Sequence, residues 1–211
     1  MTRNISVLAL AVTAALGLGA QSLQAASIID EWASVKAPPP PALKPVTVDA
    51  KTTALLMLDF VKSTCNAERG KRCVASLPAA KKLLDEARGK NMLVVYTAYG
   101  KLTTGDIVPE VAPAGSEPFF VAFLDKYIGT GLEMTLKDRG VQSVITVGTF
   151  AYGSVLTTAS ESASRGFTVI VPVDGMSADN TYAEQYTAWH LANAPAISSK
   201  ITLTTIDMMK F

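Results

Sequence analysis

Residues 144–167 read VITVGTFAYGSVLTTASESASRGF. A β-branched apolar run stops at Gly148, and a stretch of helical character starts near Ser154 and closes at Gly166. An apolar run of this length bounded by glycine reads as a buried strand. The small residues that follow suit a helix lying close on a sheet, so the stretch is one strand–turn–helix unit. Ser154 stands at the start of that helix. Serine is a preferred N-cap there, and the positive helix end also suits a developing oxyanion. A capping role and a chemical role are both open on these residues.

The same rhythm recurs on either side. TALLMLDF (53–60), MLVVYTAY (92–99) and FTVIVPVDG (167–175) read as further buried strands. LPAAKKLLDEARGKN (77–91), TGLEMTLKDRG (130–140) and TYAEQYTAWHLANA (181–194) have helical spacing, with Thr130 as an N-cap and Gly140 as a stop. KITLTTIDMM (200–209) reads as a final edge strand, and the Gly- and Pro-rich residues 100–120 as a long loop of the kind that carries function. Alternation of strand and helix predicts an α/β fold, a three-layer, doubly wound, mostly parallel sheet. It forms one domain over residues 51–211. Ahead of it, residues 27–50 hold the run KAPPPPALKPV, a proline-rich arm that no helix or central strand accommodates.

Residues 1–26 have the pattern of a cleavable export signal: Arg3, an apolar core over residues 5–20, then the small residues of SLQAAS. The apolar core is short for a membrane span, which predicts a periplasmic or secreted protein without a stable membrane anchor. Cys65 and Cys73 lie in the polar stretch STCNAERGKRC. In an oxidising compartment such a pair forms a disulfide. Nineteen Lys and Arg against eighteen Asp and Glu leave no basic surface for nucleic acid. A single histidine, His190, excludes a His-based metal cluster and reads as a packing residue beside Tyr186 and Trp189. No glycine-rich phosphate motif is present, so neither a cofactor nor a metal is expected.

In doubly wound sheets, ligands sit beyond the carboxyl ends of the strands. Asp59, Ser154 and Asp174 follow strands, and Lys126 precedes a helix in FLDKYIGTGLE. An Asp–Lys pair at such a mouth makes a tuned acid–base couple, and equally a capping acid with a surface partner. The sequence YGSVL lacks the second glycine of a G-x-S-x-G elbow, which disfavours an α/β-hydrolase. Phe150 and Tyr152 flank Ser154 as candidate pocket walls, with Tyr152 the better candidate. Phe119, Phe120 and Phe123 fit a site wall or a subunit contact.

TALLMLDF followed by DKYIGTGLEMTLKDRGVQSVITVGTFAYGSVLTTASESASRGFTVIVPVDGMSA resembles the isochorismatase-like family, also called the cysteine hydrolases, over roughly residues 52–180. The resemblance rests on an Asp after the first strand, a Lys before a G-T-x-L helix, a glycine-led turn into T-A, and an R-G start to the next strand. Asp59, Lys126, Gly148, Thr158, Ala159, Arg165, Gly166 and Asp174 fall on those positions. It implies that Asp59 is the base, that Lys126 holds the charged pair, and that the backbone amides of Phe150 and Ser154 form an oxyanion site. It also implies a cis peptide between Thr149 and Phe150, and a homo-oligomer. Ser154 replaces the family's nucleophilic cysteine, and the metal-binding His and Asp residues of nicotinamidases are missing from the loop after VVYTAYG. The resemblance therefore implies hydrolysis of a small amide, ester or vinyl ether, or else a catalytically silent binding or assembly protein on the same frame.

Overall fold

A computed structural model describes residues 27–211, so the export signal expected over residues 1–26 lies outside the described residues. The described chain divides at Ala37. The first part holds one short helix, α1 (Ile28–Glu31), closed at its start by a capping box between Ser27 and Asp30, and a single tight turn at Trp32–Ser34. Everything that positions the site belongs to residues 38–211.

There the strands are β1 (Val46–Thr47), β2 (Thr53–Leu58), β3 (Leu93–Ala98), β4 (Phe119–Val121), β5 (Ser143–Thr149), β6 (Thr168–Pro172), β7 (Met176–Ser177), β8 (Ile201–Thr204) and β9 (Met209–Lys210). The helices are α2 (Lys71–Gly89), α3 (Leu132–Asp138), α4 (Leu156–Ser164) and α5 (Thr181–Asn193). The main sheet runs β4-β3-β2-β5-β6-β8 with every neighbouring pair parallel, and β7 pairs with the end of β5. β1 and β9 pair with each other beside it. Helices cover both faces, as the α/β reading requires.

Strand β2 shows why the layers form. All six of its residues are buried, and successive side chains leave opposite faces of a strand. Leu55 and Met57 enter the apolar cluster that includes Leu77, Leu83 and Leu84 of α2. Ala54, Leu56 and Leu58 enter the other cluster, with Leu132 and Leu136 of α3, Ala159 of α4 and Leu191 of α5. A strand buried on both sides needs a continuous apolar run, and TALLML is one.

Three expectations are corrected in detail. Helix α2 starts at Lys71 rather than Leu77, so Cys73 lies in its first turn and Pro78 within it. The chain enters this helix through Gly70, where a Cβ would stand 1.9 Å from the Thr64 carbonyl oxygen, so the spacing around Leu77 marked the middle of the helix and not its start. The N-cap of α3 is Gly131, not Thr130; the Thr130 hydroxyl instead donates to the Lys126 carbonyl at 2.6 Å and accepts from the Leu132 amide at 3.3 Å. Residues 100–120 are not all loop, because Phe119 and Phe120 begin the edge strand β4. The opposite edge is β8, taken from the stretch read as an edge strand.

Strand order reverses between β2 and β5: from β2 the chain builds outward through β3 and β4, and from β5 the other way through β6 and β8. Such a switch point opens a crevice at the carboxyl ends. Leu58 and Gly148 are partners in register at that end. Gly148 has φ +149°, and a Cβ on it would stand 2.0 Å from the Leu58 carbonyl oxygen. Only glycine permits that approach. Gly148→Ala is expected to destabilise the fold by roughly 2–4 kcal/mol in denaturant unfolding, whereas an unchanged midpoint would show that the two strand ends relax apart freely.

Candidate active site

Asp59 is the first residue beyond β2 and takes a left-handed backbone conformation, φ +57°, which Asp tolerates better than most residues. Its amide donates to the Thr97 carbonyl at 3.2 Å. Its side chain is almost wholly buried. One carboxylate oxygen, Oδ1, accepts from the Thr97 hydroxyl at 3.0 Å. The other, Oδ2, accepts from the Lys126 ammonium at 2.7 Å and from the Ser154 hydroxyl at 2.5 Å.

Lys126 is fully buried in the turn before α3. Besides Asp59, its Nζ donates to the Ala122 carbonyl at 2.8 Å and the Phe123 carbonyl at 2.5 Å. An ammonium has three N–H groups, and these three partners occupy them all. The adjoining Tyr127 is fixed as well: its hydroxyl meets Ser162 Oγ at 2.8 Å, and the Arg165 guanidinium lies 4.3 Å over its ring. Arg165, one of the motif residues, is itself held by Glu133 and Glu161.

Ser154 lies in a single wide turn, Ala151–Val155, with the π hydrogen-bond pattern, and Val155 N donates to Phe150 O at 3.2 Å. Turns of this type inside helices often mark functional sites. The peptide bond between Thr149 and Phe150 is cis. Ser154 caps nothing: Phe150 holds the N-cap position of the wide turn, Val155 holds that of α4, and neither helix start has a side-chain cap. The capping reading fails because the wide turn carries Ser154 inside the helical segment, and its hydroxyl reaches across to Asp59.

Burial pushes the Asp59 carboxyl above its ordinary range, against the opposing pull of the Lys126 charge and of the hydrogen bonds from Lys126, Ser154 and Thr97. Burial pushes Lys126 below the usual lysine range, opposed by Asp59. A carboxyl raised on folding adds stability that is full below its unfolded value and lost as pH rises through its folded value. Desolvation thus opposes the charged pair, and the mutual attraction and hydrogen bonds favour it.

The Asp59 and Ser154 side chains open into a cavity of about 270 Å³ walled by Tyr99, Phe123, Leu124 and Phe150. Tyr152 is not in this wall and is 45% exposed. Residues two apart on a helix do not share a face, so the turn that turns Ser154 inward turns Tyr152 away. Phe119 and Phe120 pack on the two apolar clusters instead. His190 lies beside Tyr186 on α5, and the Asp174 carboxylate accepts from the Ile206 amide at 3.0 Å; neither is in the cavity wall. Cys65 and Cys73 form a disulfide with a Cα–Cα distance of 5.2 Å. Thr97, Tyr99 and Leu124 were not foreseen. Thr97 had a signal, a hydroxyl at the end of an apolar strand that pairs with β2.

The isochorismatase domain model matches residues 53–202. Among solved structures, the chain is similar to an isochorismatase-like hydrolase from Alkaliphilus metalliredigens, at 21% identity and a TM-score of 0.67 over 74% of this chain and 95% of that one. It is similar to the nicotinamidase of Staphylococcus aureus, at 19% identity and TM-score 0.66 over 74% of this chain and 99% of that one. It also resembles N-carbamoylsarcosine amidase from Thermoplasma acidophilum, at 18% identity and TM-score 0.63 over 74% and 97%. No curated protein sequence matches it.

Removing one partner of a buried ion pair leaves an uncompensated charge. Lys126→Met is expected to cost about 3–5 kcal/mol in equilibrium unfolding. In an Asp59→Asn background the same change should cost less by at least about 1 kcal/mol. Equal costs in the two backgrounds would mean that the pair is not coupled.

Proposed function

The chain belongs to the isochorismatase family of hydrolases, and from that premise we propose that it hydrolyses a small ester or amide through Ser154, with Asp59 as general base. One observation carries this reading. The Ser154 hydroxyl donates to the same Asp59 oxygen that Lys126 holds, at 2.5 Å and 2.7 Å. A nucleophile within hydrogen-bond reach of its base, and that base oriented by a third group, is the arrangement that covalent catalysis needs.

The steps follow from these contacts. Ser154 Oγ attacks the carbonyl carbon as its proton passes to Asp59 Oδ2. The backbone amides of Phe150 and Ser154 receive the developing oxyanion. The tetrahedral intermediate collapses to an acyl-serine, and Asp59 returns the proton to the departing alcohol or amine. A water then gives its proton to Asp59, attacks the acyl carbon and releases the acid, with the proton returning to Ser154 Oγ. Overall one water is consumed, and one acid and one alcohol or amine leave.

An ordinary carboxylate is a poor base for a hydroxyl, because the two differ so widely in acidity. Burial narrows that gap by raising Asp59, and Lys126 keeps the carboxylate charged when it is needed. The reading extends to export: the Cys65–Cys73 disulfide suits an oxidising compartment, in keeping with the signal-like pattern of residues 1–26. Among the described residues no helix is long and apolar enough to cross a membrane.

Steady-state assays on p-nitrophenyl esters and on small amides and vinyl ethers test the assignment. Ser154→Ala and Asp59→Asn are each expected to lower kcat at least about 100-fold, and Ser154→Cys to retain turnover. Vinyl ether hydrolysis that survives Ser154→Ala would move the chemistry to Asp59 as an acid. No turnover of any substrate would leave a binding protein on a hydrolase frame. In a pH profile, activity needs the Asp59 carboxylate, so it should fall as pH drops through a value above the ordinary carboxylate range. An acid limb at or below that range would contradict the role of Asp59 as a buried base.

A further inference from the structure

The charge around the cavity bears on what it admits. Its wall contains one ionisable acid, Asp59, and no Lys or Arg. Lys126 is the cation nearest to the reacting groups, but its three N–H groups are spent on Asp59, Ala122 O and Phe123 O, and it is wholly buried. No donor on it is left for a substrate carboxylate. Phe123 and Leu124 also belong to an adjoining groove of about 520 Å³, whose wall includes Gly100, Val121, Ala122, Asp125, Ile128 and Thr157. The only charged side chain in that wall is again an acid, and Phe123, Leu124 and Ile128 are largely exposed apolar surface.

An anion entering this path would lose part of its hydration and meet no cationic side chain, only the Phe150 and Ser154 amides beside the carboxylates of Asp59 and Asp125. A cation would find Asp59 already matched by Lys126, and would be desolvated against Phe150, Leu124 and Phe123. Burying an unmatched charge of either sign is costly. We propose that the substrate is uncharged and apolar: an ester or amide whose acyl part fills the cavity at Ser154 and whose apolar substituent runs past Phe123 and Leu124 into the groove. This rests on the assignment of Ser154 and Asp59 as the reacting pair. It argues against a dianionic small molecule and against a carboxylate-bearing amide as the substrate.

Benzamide, benzoate and benzamidinium share one shape and differ in charge, so they separate charge selection from fit. Calorimetric titration of each into the mature protein and into Ser154→Ala reads binding without turnover. Benzamide is expected to bind at least about tenfold more tightly than either charged ligand, because only those carry a charge that must be desolvated unpaired. A butyl group at the 4-position should add a further gain of about tenfold, the burial of several methylenes. Leu124→Arg should shift the ratio of benzoate to benzamide affinity several-fold toward benzoate. Benzoate or benzamidinium binding as tightly as benzamide, or no binding by any of the three, would overturn the proposal. Tight, selective benzamide binding without hydrolysis of any neutral ester would retain the substrate class and remove only the catalytic reading. Efficient hydrolysis that favours anionic esters would do the reverse.

Discussion

An aspartate and a lysine, both removed from water and joined at 2.7 Å, set the terms for the rest of this site. Taking two charges out of water costs several kcal/mol per ion, and their attraction alone does not reliably offset it. The surrounding structure supplies what is missing. Thr97 and Ser154 donate to the carboxylate, and two loop carbonyls accept from the ammonium. These partners come from three segments, with the two carbonyls on the loop that also carries Lys126. The pair therefore ties the ends of β2 and β3, the wide turn after β5 and the loop before α3 into one unit. Gly148 is what lets β5 come close enough to β2 for the unit to close.

That arrangement also bears on the proposed role of Ser154, at the position where the family resemblance implies a cysteine. A thiol ionises readily near neutral pH and asks little of its base. A hydroxyl asks far more. Here Asp59, the proposed base, is buried and raised, the hydroxyl already donates to it, and the turn that carries the serine aims it inward. The same burial that strengthens the base leaves the cavity without a free cation. The proposed charge selection and the proposed nucleophile activation thus share one cause.

Much of the fold was legible because buried parallel strands advertise themselves. TALLML, MLVVYTA and VITVG are continuous apolar runs ended by Asp, Gly or a polar turn, and alternation with helical spacing leaves few other architectures. Asp59 was legible on the same ground, as the acid at a strand end. What stayed hidden depended on distance along the chain. The partner of Ser154 lies 95 residues away, so local sequence favoured the cap that serine so often makes. A wide turn has no local signature in AYGSV, and so Tyr152 was placed in a wall that it does not reach. The start of α2 was displaced because STCNAERGKRC is polar and charged and carries no apolar helical spacing, whereas Gly70 permits a close backbone approach and the helix begins at Lys71. Lys126 was legible by its place before a helix, and its pairing role came from the family resemblance; nothing in FLDKYIG marks its side chain as buried.

The central claim is that Ser154 takes the acyl group. Acid-quenching the protein during turnover of an activated ester such as p-nitrophenyl butyrate, then mapping peptides by mass spectrometry, observes it directly. The account predicts one acyl group on the peptide that contains Ser154, absent from Ser154→Ala and retained in a variant at the exposed Tyr152. Steady turnover with an unmodified Ser154 peptide at every quench time, or the acyl group on another residue, would contradict it.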